Sequence, residues 1–402
     1  MRIFQLNTFC GIKSTGRITT EIAKLVEADG GACLIGFGAE QAPTELSRFA
    51  YRIGTPVERK LHGALRKLFD GEGYGSQLGT KQLIAKIEAF QPDLIHLHNL
   101  HGCYVNLRML FRYLAKADIP VVWTLHDCWP FTGHCAYFDY AKCEKWQTIC
   151  HHCPQQGSYP ICLGMDGSKR NYAHKKKLFT SLRHLTFVAP CEWMKQPLSH
   201  SFLGSHPVRV IPNGVNRQMF RPIEKSMLRE RFHLQNKQIV LSVASEWDER
   251  KGLKFLWEAA RSLGEDYCFV VIGLSQEQIA ALPDGMLGIE HTKNAQELAD
   301  WYSTADCLAN PTLEDNMPLV NLEALSCGTP VAVFCTGGCP EALDASCGLV
   351  VEKGDVAALC KAIQTLCAQK ASMRTACLLR AEAFDSERTF QAYLNLYKEL
   401  CQ

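Results

Sequence analysis

The chain has 402 residues, 47% of them hydrophobic and 21% charged, with a net charge of +2. That composition excludes a disordered chain, and the near-neutral balance excludes bulk nucleic-acid binding driven by net charge. The length exceeds one ordinary core and predicts two α/β domains of about 200 residues each.

The first residues run straight into RIFQLN, a buried-strand pattern with no cleavage site, and no apolar run reaches the roughly 18 residues needed to cross a bilayer. A soluble cytoplasmic protein is expected, with its 20 cysteines mostly as thiols and any cluster of them read as metal ligands. After the first strand comes a polar loop, Thr8 to Arg17, and a helical stretch, Ile18–Ala28. Gly11 and Gly16 in that loop let a backbone approach a phosphate closely, and Ser14 and Thr15 add donors, but the spacing is not that of a dinucleotide site. Short apolar runs recur at ACLIGF, DLIHLH, PVVWTLH, LTFVAP and VRVIPNG. Strands separated by helical lengths imply βαβ units and a parallel, doubly wound sheet.

Three features interrupt this series. Val57, Leu61, Ala64, Leu65, Leu68 and Phe69 form a helical apolar stripe flanked by Arg59, Lys60, Arg66 and Lys67, a pattern that suits either anionic lipid headgroups or packing on the sheet. His126-Asp127 falls just beyond a predicted strand end, where α/β proteins bind ligands; His96 and His98 lie at another and are expected to shape the cleft or the sheet edge. The stretch from Asp127 to Ser181 is too long for an ordinary connection and reads as a functional insertion. It carries Cys135, Cys143, Cys150 and Cys153, with Cys128 and Cys162 as spares; four soft ligands including a CxxC knuckle suit a structural zinc. Seven Lys or Arg between Lys169 and Lys195 form a second basic feature.

A hinge is expected near Gly214–Pro222, dividing an N-terminal domain (1–213) from a C-terminal one (214–384), with the last helix (about 385–402) packing back on the first. The second strand series runs through QIVLSVAS, CFVVIG, GIEHT, DCLANP, PVAVF and GLVVE. Between its first two members, SEWDERKGL places Arg250 and Lys251 at a helix start, where cations oppose the helix dipole unless they serve a ligand. In NPTLEDNMPLVNLEALSCGTP (310–330), Glu314 and Asp315 precede a helix with Pro318 in its first turn, Leu319, Val320, Leu322 and Leu325 on its buried side, and Gly328 as its cap. Free N–H groups with carboxylates close by suit a ligand that is anionic at one end and hydroxylated at the other.

Asp315 and Glu323 are separated by seven residues, and here the chain resembles the family-4 retaining glycosyltransferases of the GT-B fold, whose signature is Glu-x7-Glu. The resemblance extends over nearly the whole chain. It departs at Asp315, which takes the first Glu position, and at Ala244-Ser245, where Gly-Arg is usual. It implies two Rossmann-like domains facing a cleft, the second binding a nucleoside-diphosphate sugar and the first an acceptor. It also implies that Glu323 bonds the ribose, Asp315 or Glu314 the sugar, and the amides around Leu319 and Val320 the diphosphate, with Lys251 and Arg250. His126 matches the family's active-site histidine, Gly11 and Gly16 its donor-side loop, and Gly337-Gly338-Cys339-Pro340-Glu341 its Gly-Gly-x-Pro-Glu loop. With fixed cations stabilising the leaving group, no cofactor is required for catalysis. The implied setting is surface polysaccharide assembly on a glycan or lipid-linked acceptor, with peripheral contact at the inner face of the membrane and no nucleic-acid partner. The rival readings are a sugar-nucleotide epimerase of the same fold and a non-catalytic glycan- or metal-binding protein.

Overall fold

A computed structural model describes residues 1–402. The chain forms two compact units, Met1–Ile211 with Phe390–Gln402, and Pro212–Thr389. Each is built on one sheet in which every strand pair is parallel.

The first unit holds β1 (Arg2–Asn7), β2 (Ala32–Phe37), β3 (Ala50–Arg52), β4 (Leu94–Leu97), β5 (Val121–Thr124), β6 (Leu185–Ala189) and β7 (Val208–Val210), in the order β3-β2-β1-β4-β5-β6-β7. The central strands are buried along their whole length, which is why they read as continuous apolar runs rather than as alternating ones. The strand order reverses between β1 and β4, so the carboxyl ends of these strands frame the switch point where such sheets take ligands. One core holds Ile3, Ile22 and Val26 together with Phe390, Tyr393, Leu394 and Tyr397 of the final helix, Ser386–Leu400.

Two local expectations are corrected here, and one of two alternatives left open for a third is removed. The first helix spans Lys13–Ala28, so Ser14, Thr15 and Gly16 lie in its opening turns instead of in a loop. Low helix propensity is overridden by close packing: the Gly11 amide donates to the Gly16 carbonyl (3.0 Å), and a Cβ on Gly16 would lie 3.1 Å from that of Phe9. The helix Pro56–Phe69, capped by Thr55 and ended by Asp70 at φ 51°, does not bury its apolar stripe on the sheet. Val57, Leu61 and Leu68 are 67%, 68% and 55% exposed, because the inward face is anchored by a polar residue, His62, whose Nε2 accepts from the Gly73 amide. The Lys169–Lys195 run is not one basic surface either. It spans most of the helix Ser168–Phe179 and all of β6, and the Lys175 ammonium is buried against the carbonyls of Trp129 (2.7 Å) and Thr132 (3.1 Å).

The second unit holds β8 (Gln238–Val243), β9 (Tyr267–Ile272), β10 (Met286–Ile289), β11 (Cys307–Asn310), β12 (Val331–Phe334) and β13 (Gly348–Val351), in the order β10-β9-β8-β11-β12-β13. Its order reverses between β8 and β11. The segments that follow these two strands carry Arg250-Lys251 and Glu314-Asp315 respectively. The expected hinge segment lies inside this unit, where Val215 donates to the Phe384 carbonyl and Arg217 pairs with Glu382 at 3.0 Å.

Candidate active site

In the second unit the site begins with a tight turn. Asp248 caps a 3-10 turn, Glu249–Lys251, by accepting from the Lys251 amide at 3.0 Å, and Gly252 ends it at φ 78°. A Cβ on Gly252 would lie 2.1 Å from the Pro311 carbonyl oxygen, so only glycine lets the turn dock on the segment after β11. The Leu313 amide then donates to the Arg250 carbonyl at 2.8 Å. This docking aims two adjacent cations at one loop. The Arg250 guanidinium donates to the Glu314 carbonyl at 2.9 Å, and Lys251 Nζ meets Asp315 Oδ2 at 2.6 Å, with both of the latter side chains about four-fifths buried.

The two candidate acids part company. Glu314 is buried at 2% exposure, whereas Asp315 keeps a small exposed edge and holds Lys251 with one oxygen while the other accepts from the Asn316 amide at 2.9 Å. Gly337, at φ 55°, supports the back of this loop; a Cβ there would sit 1.7 Å from the Asp315 carbonyl oxygen. Asn213 supports it from another side, donating to the Met317 carbonyl at 2.8 Å.

The following helix is Leu319–Ser326, with Pro318 as its N-cap rather than inside its first turn. Gly328 and Thr329 close its far end with the two hydrogen bonds of a Schellman motif, to Leu325 and Ala324. Leu322 and Leu325 are fully buried, as are Asn321 and Ala324, but Leu319 and Val320 are only half-buried, contrary to the expected buried side. Those two residues open the helix, where main-chain N–H groups lack helical partners and the dipole favours an anion. Glu323, one turn further, is oriented by the buried Tyr302, whose hydroxyl donates to its Oε2 at 2.8 Å.

In the first unit His126 follows β5 and stacks on His98, with ring planes 13° apart. The proton positions along this line are fixed by its far end. Gln5 Nε2 donates to the Thr19 carbonyl (2.8 Å), so Gln5 Oε1 faces His98 Nε2 at 3.0 Å. An amide oxygen only accepts, hence His98 Nε2 carries a proton; burial and the neighbouring histidines hold the His98 ring neutral, leaving its Nδ1 bare. His126 Nε2, 2.9 Å away, must donate to it. His126 is therefore protonated at Nε2, and Nδ1 is the unprotonated nitrogen of its ring. Burial pushes the His126 pKa down to about 4, so this state persists through the neutral range. His98 is itself held by Trp123, whose indole donates to its carbonyl at 2.9 Å. Asp127 faces elsewhere, pairing with His101 at 2.7 Å; burial raises its pKa, but His101 more than offsets this.

His96 and His98 sit on and just after β4, a central strand, and so do not shape a sheet edge. Gly11 and Gly16 flank the amino end of the first helix. Cys135, Cys143, Cys150 and Cys153 line a single cavity in the insertion, together with His134. Sequence reasoning missed Gln5, Tyr302 and Asn213 because each acts through a contact distant in the chain. It placed Gly337 in the Gly-Gly-x-Pro-Glu loop but not against the Asp315 carbonyl.

Residues 237–369 match the family described as Glycosyl transferases group 1, and residues 43–218 match Glycosyltransferase Family 4. The putative colanic acid biosynthesis glycosyl transferase WcaC of Escherichia coli (strain K12) is 26% identical over 349 residues, covering 84% of this chain and 83% of that protein. Among solved structures, the sucrose-phosphate synthase of Thermosynechococcus elongatus superposes with a TM-score of 0.71 at 16% identity, covering 99% of this chain and 98% of that one. HepE of Anabaena, solved with UDP-glucose, gives 0.69 at 17% identity, covering 99% and 100%. With its two family matches in chain order on two Rossmann-like units, the chain belongs to the family-4 glycosyltransferases of the GT-B fold.

Proposed function

We propose that the protein transfers a sugar, with retention of configuration, from a nucleoside-diphosphate sugar to a glycan or lipid-linked acceptor in the assembly of a surface polysaccharide. The observation that carries the reading is the docking of Lys251 and Arg250 on the Glu314-Asp315 loop, which leads into the helix opened by Leu319 and Val320, with Glu323 one helical turn beyond. Two cations and a helix N-terminus suit the charge that builds on a departing diphosphate, the largest demand of the reaction. In this reading Glu323, oriented by Tyr302, accepts from the ribose hydroxyls. Asp315 is the acid directed at the sugar, since Glu314 is buried and lends its carbonyl to Arg250. His126 accepts a hydrogen bond from a sugar hydroxyl through Nδ1. Fixed cations rather than a metal neutralise the leaving group, and the donor phosphate takes the acceptor proton. HepE, crystallised with UDP-glucose, and WcaC, named for colanic acid synthesis, support the donor class and the setting.

No helix is long and apolar enough to cross a membrane. Peripheral attachment is part of the proposal: Leu163 and Met165, 77% and 68% exposed, are tied by their amides to the carbonyls of Lys67 and Leu68, and so extend the apolar stripe of Val57, Leu61 and Leu68 among basic residues. Incubation with candidate donors and a glycan acceptor, read by proton NMR, tests the reaction. A glycoside with the donor's anomeric configuration is expected. An inverted product would refute retention, and epimerised donor without a glycoside would refute transfer.

A further inference from the structure

The cysteine-rich insertion carries a site that the transfer reaction does not use. Between β5 and the helix Ser168–Phe179 the chain has no strand and only two 3-10 turns, yet it folds around one small cavity of about 10 Å³, room for a single ion. Cys135, Cys143, Cys150 and Cys153 all line it, although 19 positions of sequence contain them. Cys128 and Cys162 do not, and the Cys162 thiol is bonded instead to the carbonyls of Lys67 and Met165. No two cysteines are joined by a disulfide, and the Cys135 and Cys153 thiols are in hydrogen-bonding contact.

Donors are already aimed at the sulfurs. The Gly133 amide donates to Cys150 Sγ at 3.2 Å, and the Gln155 amide, two residues past the CxxC, donates to Cys153. His134 supplies an independent sign of a missing partner. It borders the cavity; its Nδ1 donates to Asp70 Oδ1 at 2.7 Å, while its Nε2 is fully buried and without a hydrogen-bond partner. Cations surround the site: Lys145 Nζ bonds the carbonyls of His151 and His152 at 3.0 Å, and the buried Lys175 lies within electrostatic range of Cys135 and Cys150. The other buried cluster of metal-ligating types, His62, Glu72 and Cys103, differs in being satisfied internally, with His62 Nε2 and both Glu72 oxygens already accepting.

We propose that Cys135, Cys143, Cys150 and Cys153 bind one zinc ion as a closed, structural tetrathiolate. Four Zn–S bonds form and four thiol protons pass to solvent, leaving a site of net charge −2 that the neighbouring cations balance. A closed shell leaves no position for substrate, so the ion holds the insertion and takes no part in transfer.

The test is metal analysis of the full chain purified without chelator. About one equivalent of zinc is expected, and less than about half an equivalent overturns the proposal, as does a Cys135–Cys153 disulfide in a thiol count. Cys135→Ser and Cys150→Ser should lose the metal, whereas Cys128→Ser and Cys162→Ser should keep it. If the first pair fails to fold, cobalt-substituted wild-type protein decides: intense thiolate-to-cobalt absorption with tetrahedral bands supports four sulfurs, and its absence refutes them. Zinc lost in His134→Gln but kept in Cys143→Ser would overturn the four-thiol assignment.

Discussion

Removing the ammonium that faces Asp315 should separate donor binding from stability. At 2.6 Å and an effective dielectric constant near 20, the Lys251–Asp315 attraction is about 6 kcal/mol before desolvation and side-chain ordering are subtracted. Partly buried charged pairs retain only about 1–3 kcal/mol of that as net gain. In Lys251→Ala the Asp315 carboxylate is left facing the position assigned to the diphosphate, so a lost attraction is joined by a new repulsion. A fall of about 10- to 100-fold in affinity for the nucleoside diphosphate is expected, equivalent to roughly 1.4–2.8 kcal/mol. Asp315→Asn in the Lys251→Ala background should recover part of it, because the repulsion goes with the charge. Asp315→Asn alone should spare the diphosphate and weaken only the sugar-bearing donor. Titration calorimetry with the nucleotide and with its sugar conjugate reads all four corners of the cycle. An unchanged dissociation constant in Lys251→Ala would refute the placement of this lysine at the diphosphate.

Further outcomes follow from the geometry. Gly337→Ala should lower the melting temperature and donor affinity together, since its Cβ would displace the Asp315 carbonyl. Gly264→Ala, at φ 75° and ψ −163° with nothing within 4 Å, should cost up to about 3 kcal/mol of backbone strain, since that region is almost exclusive to glycine, yet leave affinity intact. His98→Asn should reduce kcat/KM with little effect on nucleotide affinity, and the 15N shifts of His126 should report loss of the Nε2–H tautomer; unchanged shifts would refute the relay. The folded pKa of His126, about 4, lies below the ordinary histidine value of 6.5, so the unfolded chain binds the extra proton first and stability should fall as pH drops from about 6.5 towards 4. Thermal melts across that window check this, and a flat profile would contradict it. Leu61→Asp with Leu163→Asp should abolish co-flotation with anionic vesicles while leaving neutral-vesicle behaviour and transfer to a soluble acceptor unchanged.

The sheets were legible because parallel strands buried on both faces leave uninterrupted apolar runs, as in LTFVA and VVWT. Lys251, Asp315 and Glu323 were legible because their spacing is local and resembles a family motif. What escaped depends on contacts distant in the chain. The periodicity of Val57–Phe69 gives an amphipathic helix but not which face meets the sheet, and His62 reverses the usual answer through Gly73. Lys175 reads as surface charge until Trp129 and Thr132 are folded over it. Arg250 and Lys251 could not be oriented from sequence, since neighbours in a helix diverge; their convergence needs the 3-10 turn that Gly252 closes on Pro311. The proton state of His126 is set from Gln5, more than a hundred residues earlier in the chain, through bonds crossing from β1 to β4.

The central claim is that the second unit grips a nucleoside-diphosphate sugar between Lys251, the amides of Leu319 and Val320, and Glu323. A thermal-shift screen of the full chain against UDP-, GDP- and ADP-sugars, repeated on Glu323→Ala, tests it most directly. One base should give a selective rise in melting temperature that the variant loses. No shift with any nucleotide sugar, or the same shift in Glu323→Ala, would contradict the account.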